Sequence, residues 1–278
     1  MAENFDTLEA VAAAFEESPA TWSLAIHFRD PPNETAVRAL IALAAGSEAG
    51  NALTFERTEP KDWVEASLAG LAPVWAGRFV VHGAHDRAHI ATNRIGIEIE
   101  AALAFGTGHH GTTRGCLLAV DRATKTHRPG RLIRRILDVG TGTGVLAIAA
   151  ARALRRPVLA SDIDRVATTT ASANARLNRA ATFINFVRAA GVSAACFRTQ
   201  APFDLILANI LLGPLVKLSA PLARLAAPGA RVILSGLLPS QANAAISAYR
   251  AQGLHLERRS LLEGWTTLVM RRGNRWLL

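Results

Sequence analysis

Ile136-Leu-Asp-Val-Gly-Thr-Gly-Thr-Gly-Val-Leu-Ala-Ile-Ala-Ala150 is the stretch on which the reading of this chain turns. An apolar run ends in Asp138, turns through Gly140, Gly142 and Gly144, and passes directly into Val145-Leu146-Ala147-Ile148. That order predicts a buried strand, a glycine-rich turn and the start of a helix, an arrangement suited to a nucleotide-like ligand. Glycine spacing separates two ligand classes. A dinucleotide-binding turn carries G-x-G-x-x-G, whereas these glycines fall at every second position behind an acidic residue. An NAD-dependent oxidoreductase is therefore disfavoured, and a purely structural turn is the other reading of the stretch alone.

Downstream, strands and helices alternate. A second strand, from Val158, ends in Asp162 and Asp164, the former 22 residues beyond Gly140. An acid at the carboxyl end of a second strand can accept hydrogen bonds from both ribose hydroxyls. Asp164 reads instead as the N-cap of a helix over 167–177. Residues 182–188 form a third predicted strand, and 203–212 a fourth that carries Asn209 near its carboxyl end. A helix over 215–225, a strand over 228–236, a helix over 241–252 and strands near 256–260 and 266–271 complete the series. Five strand–helix steps closed by a strand pair predict a doubly wound, Rossmann-like α/β sheet of seven strands, parallel except for the last.

Upstream lies a second informative run, Ala104-Phe-Gly-Thr-Gly-His-His-Gly-Thr-Thr-Arg114. Its glycines adapt the backbone, its threonines and histidines offer polar groups, and Thr112 or Thr113 could begin the helix that follows. The loop either caps that helix or covers a ligand. Residues 124–135 are basic and contain Pro and Gly, as a surface loop would. His82, His85 and His89 have only Asp86 beside them, too poor a donor set to predict a metal site.

The front of the chain has another character. Residues 5–17 space Phe5, Leu8, Val11, Ala12 and Phe15 as a helix; 21–28 alternate as a strand; Asn33 caps a helix closed by Gly46 or Gly50; and 53–56 read as a strand. This predicts a small α+β module over 1–58 of split-βαβ type without its first strand. A connection with a helix over 60–70 and a strand over 78–82 spans 59–100, and the main domain spans 101–278.

Composition narrows the class further. The chain has 278 residues, 50 % hydrophobic and 19 % charged, enough to bury a full core. Cys116 and Cys196 are too few for a disulfide framework or a zinc cluster and suit a reducing cytosol. No signal peptide and no membrane-spanning run is visible, so a cytoplasmic location is expected. The net charge of +9 hides a split: residues 1–100 carry 15 acidic and 7 basic side chains, the remainder 7 and 24. The basic part is either solvated surface or an attraction to a nucleic-acid-bearing particle; the acidic front suits a basic protein partner.

Asp-x-Gly-x-Gly-x-Gly at 138–144 resembles the first motif of S-adenosylmethionine (SAM) methyltransferases. Taken with Ala-Phe-Gly-Thr-Gly-His-His-x-Thr-Thr at 104–113, Asp162-Ile-Asp164, Ala208-Asn209-Ile-Leu211 and Leu234-Ser-Gly-Leu-Leu238, the chain resembles the bacterial ribosomal protein L11 methyltransferases of PrmA type, over about residues 61–270. The resemblance implies a class I methyltransferase domain with a small N-terminal substrate-recognition domain joined flexibly to it. It implies SAM as methyl donor, S-adenosylhomocysteine as product, and lysine side chains and the N-terminal amine of L11 as acceptors, free or on the ribosome. Transient contact with ribosomal RNA fits it; DNA, membrane and metal do not. The implied cofactor set is Phe105, Thr112, Asp138, Gly140, Gly142, Gly144, Asp162 and Asn209. Asn209 orients either the acceptor amine or the cofactor, and His109 takes the released proton or lines the pocket. Gly111 stands where that family often has Pro. The alternatives are a SAM-dependent enzyme acting on RNA or another protein, and a non-catalytic ribosome-associated binder.

Overall fold

A computed structural model of the chain describes residues 10–18, 21–28, 31–56, 73–99, 111–125 and 132–273. They divide between two units, Met1–Pro60 and Lys61–Leu278. In the first, β1 (Ala10–Ser18) pairs antiparallel with β2 (Thr21–Phe28), Ala10 opposite Phe28 and Ser18 opposite Thr21. The helix predicted over 5–17 is thus a strand wherever it is described. Val11, Ala13 and Phe15 also recur two apart, and a partner strand only two residues away in sequence decides between the periods. The predicted start of α1 (Glu34–Ala45) is correct: the Asn33 side chain accepts from Ala36 N at 3.1 Å, and Gly46 ends the helix at φ 95°. After α2 (Ser47–Asn51), residues 53–56 belong to no sheet of the described residues, contrary to the strand predicted there. Four residues without a partner cannot satisfy a strand's backbone. Among the described residues the order is therefore ββαα, not αβαβ. The connecting helix predicted over 60–70 lies outside the described residues.

The second unit opens with a three-stranded sheet, β3 (Val74–Ala76), β4 (Phe79–His82) and β5 (Ile95–Glu98). Helix α3 (Gly111–Lys125) follows. Then come β6 (Ile136–Val139), α4 (Val145–Leu154), β7 (Val158–Asp162), α5 (Arg165–Leu177), β8 (Ile184–Arg188), α6 (Ala195–Gln200) and β9 (Phe203–Asn209). Two short helices, α7 (Leu212–Lys217) and α8 (Ser219–Leu225), replace the single helix predicted over 215–225. Pro221 has no N–H to continue a helix from Lys217, so the chain breaks at Leu218 and restarts. Strand β10 (Ala226–Leu237), α9 (Ala242–Arg250), β11 (Leu254–Leu262) and β12 (Trp265–Arg272) complete the unit.

Its main sheet has the order β11-β12-β10-β9-β6-β7-β8. β6 to β10 pair in parallel, and β12 runs antiparallel to both neighbours, as predicted. Strand period two builds the two cores. Ile136, Leu205, Leu207 and Ile233 face one layer with α3 and α4, while Leu137, Ile206, Ala208 and Leu234 face the other with Leu215, Leu222 and Tyr249. All these strand residues are fully buried, each leucine or isoleucine side chain contributing about 1.5–3 kcal/mol. The small sheet joins the first layer through Phe79, Val81 and Ile97.

Candidate active site

The strand order brings the carboxyl ends of β6, β7 and β9 together, and the topology reverses beside β6. Ligands of open α/β sheets bind at such a point. The chain leaves β6 through Gly140, Gly142 and Gly144 at φ 70°, 55° and 83°, the left-handed region that residues with a Cβ avoid. A Cβ on Gly140 would also stand 2.3 Å from Ile210 Cγ2. The loop is pinned from below: Gly140 N and Thr141 N donate to Ser161 O at 2.8 and 3.0 Å. Asn174, buried in α5, donates to Thr143 O at 2.9 Å.

Asp162 ends β7 beside this loop. Its Oδ2 accepts from Gly142 N at 2.9 Å and its Oδ1 from Asp164 N at 3.0 Å. Asp164 is the N-cap of α5, accepting from Val166 N at 2.9 Å, as predicted. Asp138 is fully buried beneath the loop, with Thr141 Oγ1 donating to its Oδ2 at 2.7 Å. Its Oδ1 meets no donor at hydrogen-bond geometry. Burial pushes this carboxyl up to about 7, against the Thr141 hydroxyl and the Ala147 backbone amide; the Asp162 charge raises it further.

Across the crevice, the first turn of α3 packs against the β11–β12 turn, where Arg114 pairs with Glu263 at 2.8 Å. This places Thr112 and Thr113, both buried, beside the end of β9. Asn209 Nδ2 donates to the Thr112 hydroxyl at 3.3 Å and to the Thr113 hydroxyl at 3.4 Å. In that orientation its Oδ1 is left to accept from a ligand. A Cβ on Gly236, at the end of β10, would lie 2.5 Å from Ile210 O, so glycine there lets the β9–α7 connection close in.

The structure thus brings Thr112, Asp138, Gly140, Gly142, Gly144, Asp162 and Asn209 to one edge of the sheet. Phe105 and His109 lie outside the described residues. Thr141 and Asn174 were missed, although Asp138-x-x-Thr141 is readable as a local hydroxyl–carboxylate spacing. Ile210, Ile163 and Leu211 were missed as well; the last two are 67 % and 71 % exposed beside Asp162 and Asn209. Cys116 is an inert thiol, its pKa pushed up to about 12 by burial. Among the described residues no group of three His, Cys, Asp or Glu could hold a metal ion. His82 bonds to Gly83 O and His85 to Asp86.

Seven strands in this order, with an alternating-glycine loop after the first of them and an acid ending the second, define a class I methyltransferase domain. The model of one family, described as ribosomal protein L11 methyltransferase (PrmA), matches residues 6–273. The chain is 55 % identical over 270 residues to the ribosomal protein L11 methyltransferase of Rhodopseudomonas palustris BisB5, covering 97 % of this chain and 90 % of that protein. It is 54 % identical over 272 residues to the Bradyrhizobium diazoefficiens protein of the same name, with 98 % and 91 % coverage. The crystal structure of a ribosomal protein L11 methylase from Lactobacillus delbrueckii subsp. bulgaricus superposes with a TM-score of 0.64 at 27 % identity, covering 73 % of this chain and all of that one. The chain belongs to the ribosomal protein L11 methyltransferase (PrmA) family and is a methyltransferase. No helix of the described residues is long and apolar enough to cross a membrane.

Proposed function

We propose that this methyltransferase moves methyl groups from SAM to lysine side chains and the N-terminal amine of ribosomal protein L11. One observation carries the reading: a three-glycine loop between buried Asp138 and Asp162 faces an asparagine whose amide is already committed to Thr112 and Thr113. The names of the relatives support the acceptor.

The residues fit the donor. Each Asp162 oxygen already accepts one backbone N–H and keeps a lone pair for a ribose hydroxyl. Ile163 offers an apolar face next to it for a flat base. Thr112 and Asn209 stand on the other side, and the unpartnered Asp138 Oδ1 matches a site that lacks a donor of its own. When bound, SAM supplies an activated methyl group and its own leaving group, so the protein's part is orientation.

The acceptor must arrive as a neutral amine. At pKa about 10.4, roughly one lysine in 2,500 is neutral at pH 7, an effective cost of ~4.6 kcal/mol. An α-amine near 7.7–8.0 needs far less. Asn209 Oδ1 accepts an N–H from that amine and aims its lone pair; desolvation in the closed crevice lowers the amine's pKa. The front module recognises the acceptor protein.

Incubation with labelled SAM and a ribosomal extract, followed by identification of the labelled band, tests this directly. Label in L11 amines supports the reading. Label confined to ribosomal RNA, or none at all, rejects it.

A further inference from the structure

We propose that the edge of the sheet opposite the glycine loop is a docking rim for the phosphate backbone of structured RNA. Helices of a doubly wound sheet run back against the parallel strands, so their C-termini collect where the strands begin. β6, β7 and β8 are hydrogen-bonded neighbours in that order. The segments leading into them carry Arg134 and Arg135, then Arg155 and Arg156, then Arg179. Arg152 and Arg176, in the last turns of α4 and α5, add two more. All seven are exposed. Adjacent strands lie roughly 4.8 Å apart, so the three segments make one row roughly 10 Å long.

None of the seven stands in an ion pair among the described residues. Arg135 bonds to the carbonyls of Gln200 and Ala201, and Arg152 to that of Gly96, all neutral acceptors. Asp204 is taken up by the backbone N–H groups of Arg134 and Arg135 at 2.8 and 3.2 Å. Partial desolvation and the neighbouring Arg179 both lower the pKa of Arg152, so two like charges stand close with no carboxylate paired to either.

Helix dipoles favour cations in the last turn, which accounts for Arg152 and Arg176. They do not account for Arg155 and Arg179. Both lie just beyond a helix at φ 52° and 53°, where glycine or asparagine is the unstrained choice. Among the described residues only three non-glycine positions have positive φ, and two are these arginines. Long cations on strained backbone, in a row free of paired acids, fit phosphates contacted for charge and not for base identity. This goes beyond the acceptor reading, and RNA binding is measured without methyl transfer, so either can fail alone.

Fluorescence anisotropy of a labelled RNA hairpin, titrated with the full chain, is the test. The wild type binds, and its affinity falls linearly on a log–log plot against salt. Arg155→Glu/Arg156→Glu/Arg179→Glu binds about tenfold more weakly near 0.1 M salt, with a slope shallower by about 2. Charge reversal can impair folding, so Arg155→Gly/Arg179→Gly is measured as well: it relieves both strained positions, keeps or raises Tm, and still loses RNA affinity several-fold. Unchanged affinity in the glycine variant overturns the proposal. So does a wild type that binds phosphatidylserine-containing vesicles but not the hairpin.

Discussion

The Asn209 side-chain amide and the Thr112 hydroxyl lie 3.3 Å apart across 97 residues of sequence. That contact joins the end of β9 to the first turn of α3 and commits the amide nitrogen, leaving the amide oxygen as the acceptor a ligand can use. Replacing Asn209 with Ala should lower kcat by about 100-fold, the scale of lost positioning. The Kd for SAM should change much less. Near-normal turnover in the variant would sink the orienting role.

Asp162 holds two backbone amides and keeps acceptor capacity for a ribose. Asp162→Ala removes both functions, and the Kd for SAM should rise about tenfold or more. Isothermal titration calorimetry reads this directly, and an unaltered Kd would exclude Asp162 from the cofactor site.

Gly140 combines positive φ with an Ile210 methyl 2.3 Å from where a Cβ would stand. Gly140→Ala should lower Tm by about 3 °C or more, since left-handed backbone alone costs ~1–2 kcal/mol outside glycine. Adding Ile210→Ala should recover the steric part of that loss and leave the backbone part. Full recovery in the double variant would mean that strain contributes nothing.

Asp138 titrates within the folded protein. Its folded pKa, about 7, lies above the ordinary 3.8, so the folded state binds the proton more tightly than the unfolded state. The resulting stability is present below pH 3.8 and is lost as pH rises to about 7. Asp138→Asn lacks this dependence. Its Tm advantage over the SAM-free wild type should therefore widen between those values and level off above; a constant difference would contradict the assignment.

Residues 1–60 carry 10 acidic and 3 basic side chains. A cationic acceptor protein should be steered by that charge, so its association rate with the full chain should fall as salt rises. A flat salt response would reject steering by the front module.

Much of this was legible because it is local. Near-continuous apolar runs in 203–209 and 230–234 specify strands buried on both faces, and the glycine run requires a backbone that only glycine adopts easily. Local signals also misled. In 10–18 one set of residues satisfies both the helical and the strand period, and only the pairing with β2 separates them. The prolines of 212–225 were visible, yet the break at Leu218 was not predicted.

By itself, the sequence determined the seven-strand alternation, the three-glycine turn after Asp138, the acid at the end of β7 and the cap at Asp164. Each follows from steric and hydrogen-bonding demands within a few residues. Tertiary structure alone decided that Thr112 and Thr113 meet Asn209, that Ile210 closes over Gly140, and that arginines from three separate segments share one edge. Those relations depend on which strands become neighbours, and strand order is set by how distant apolar faces bury one another.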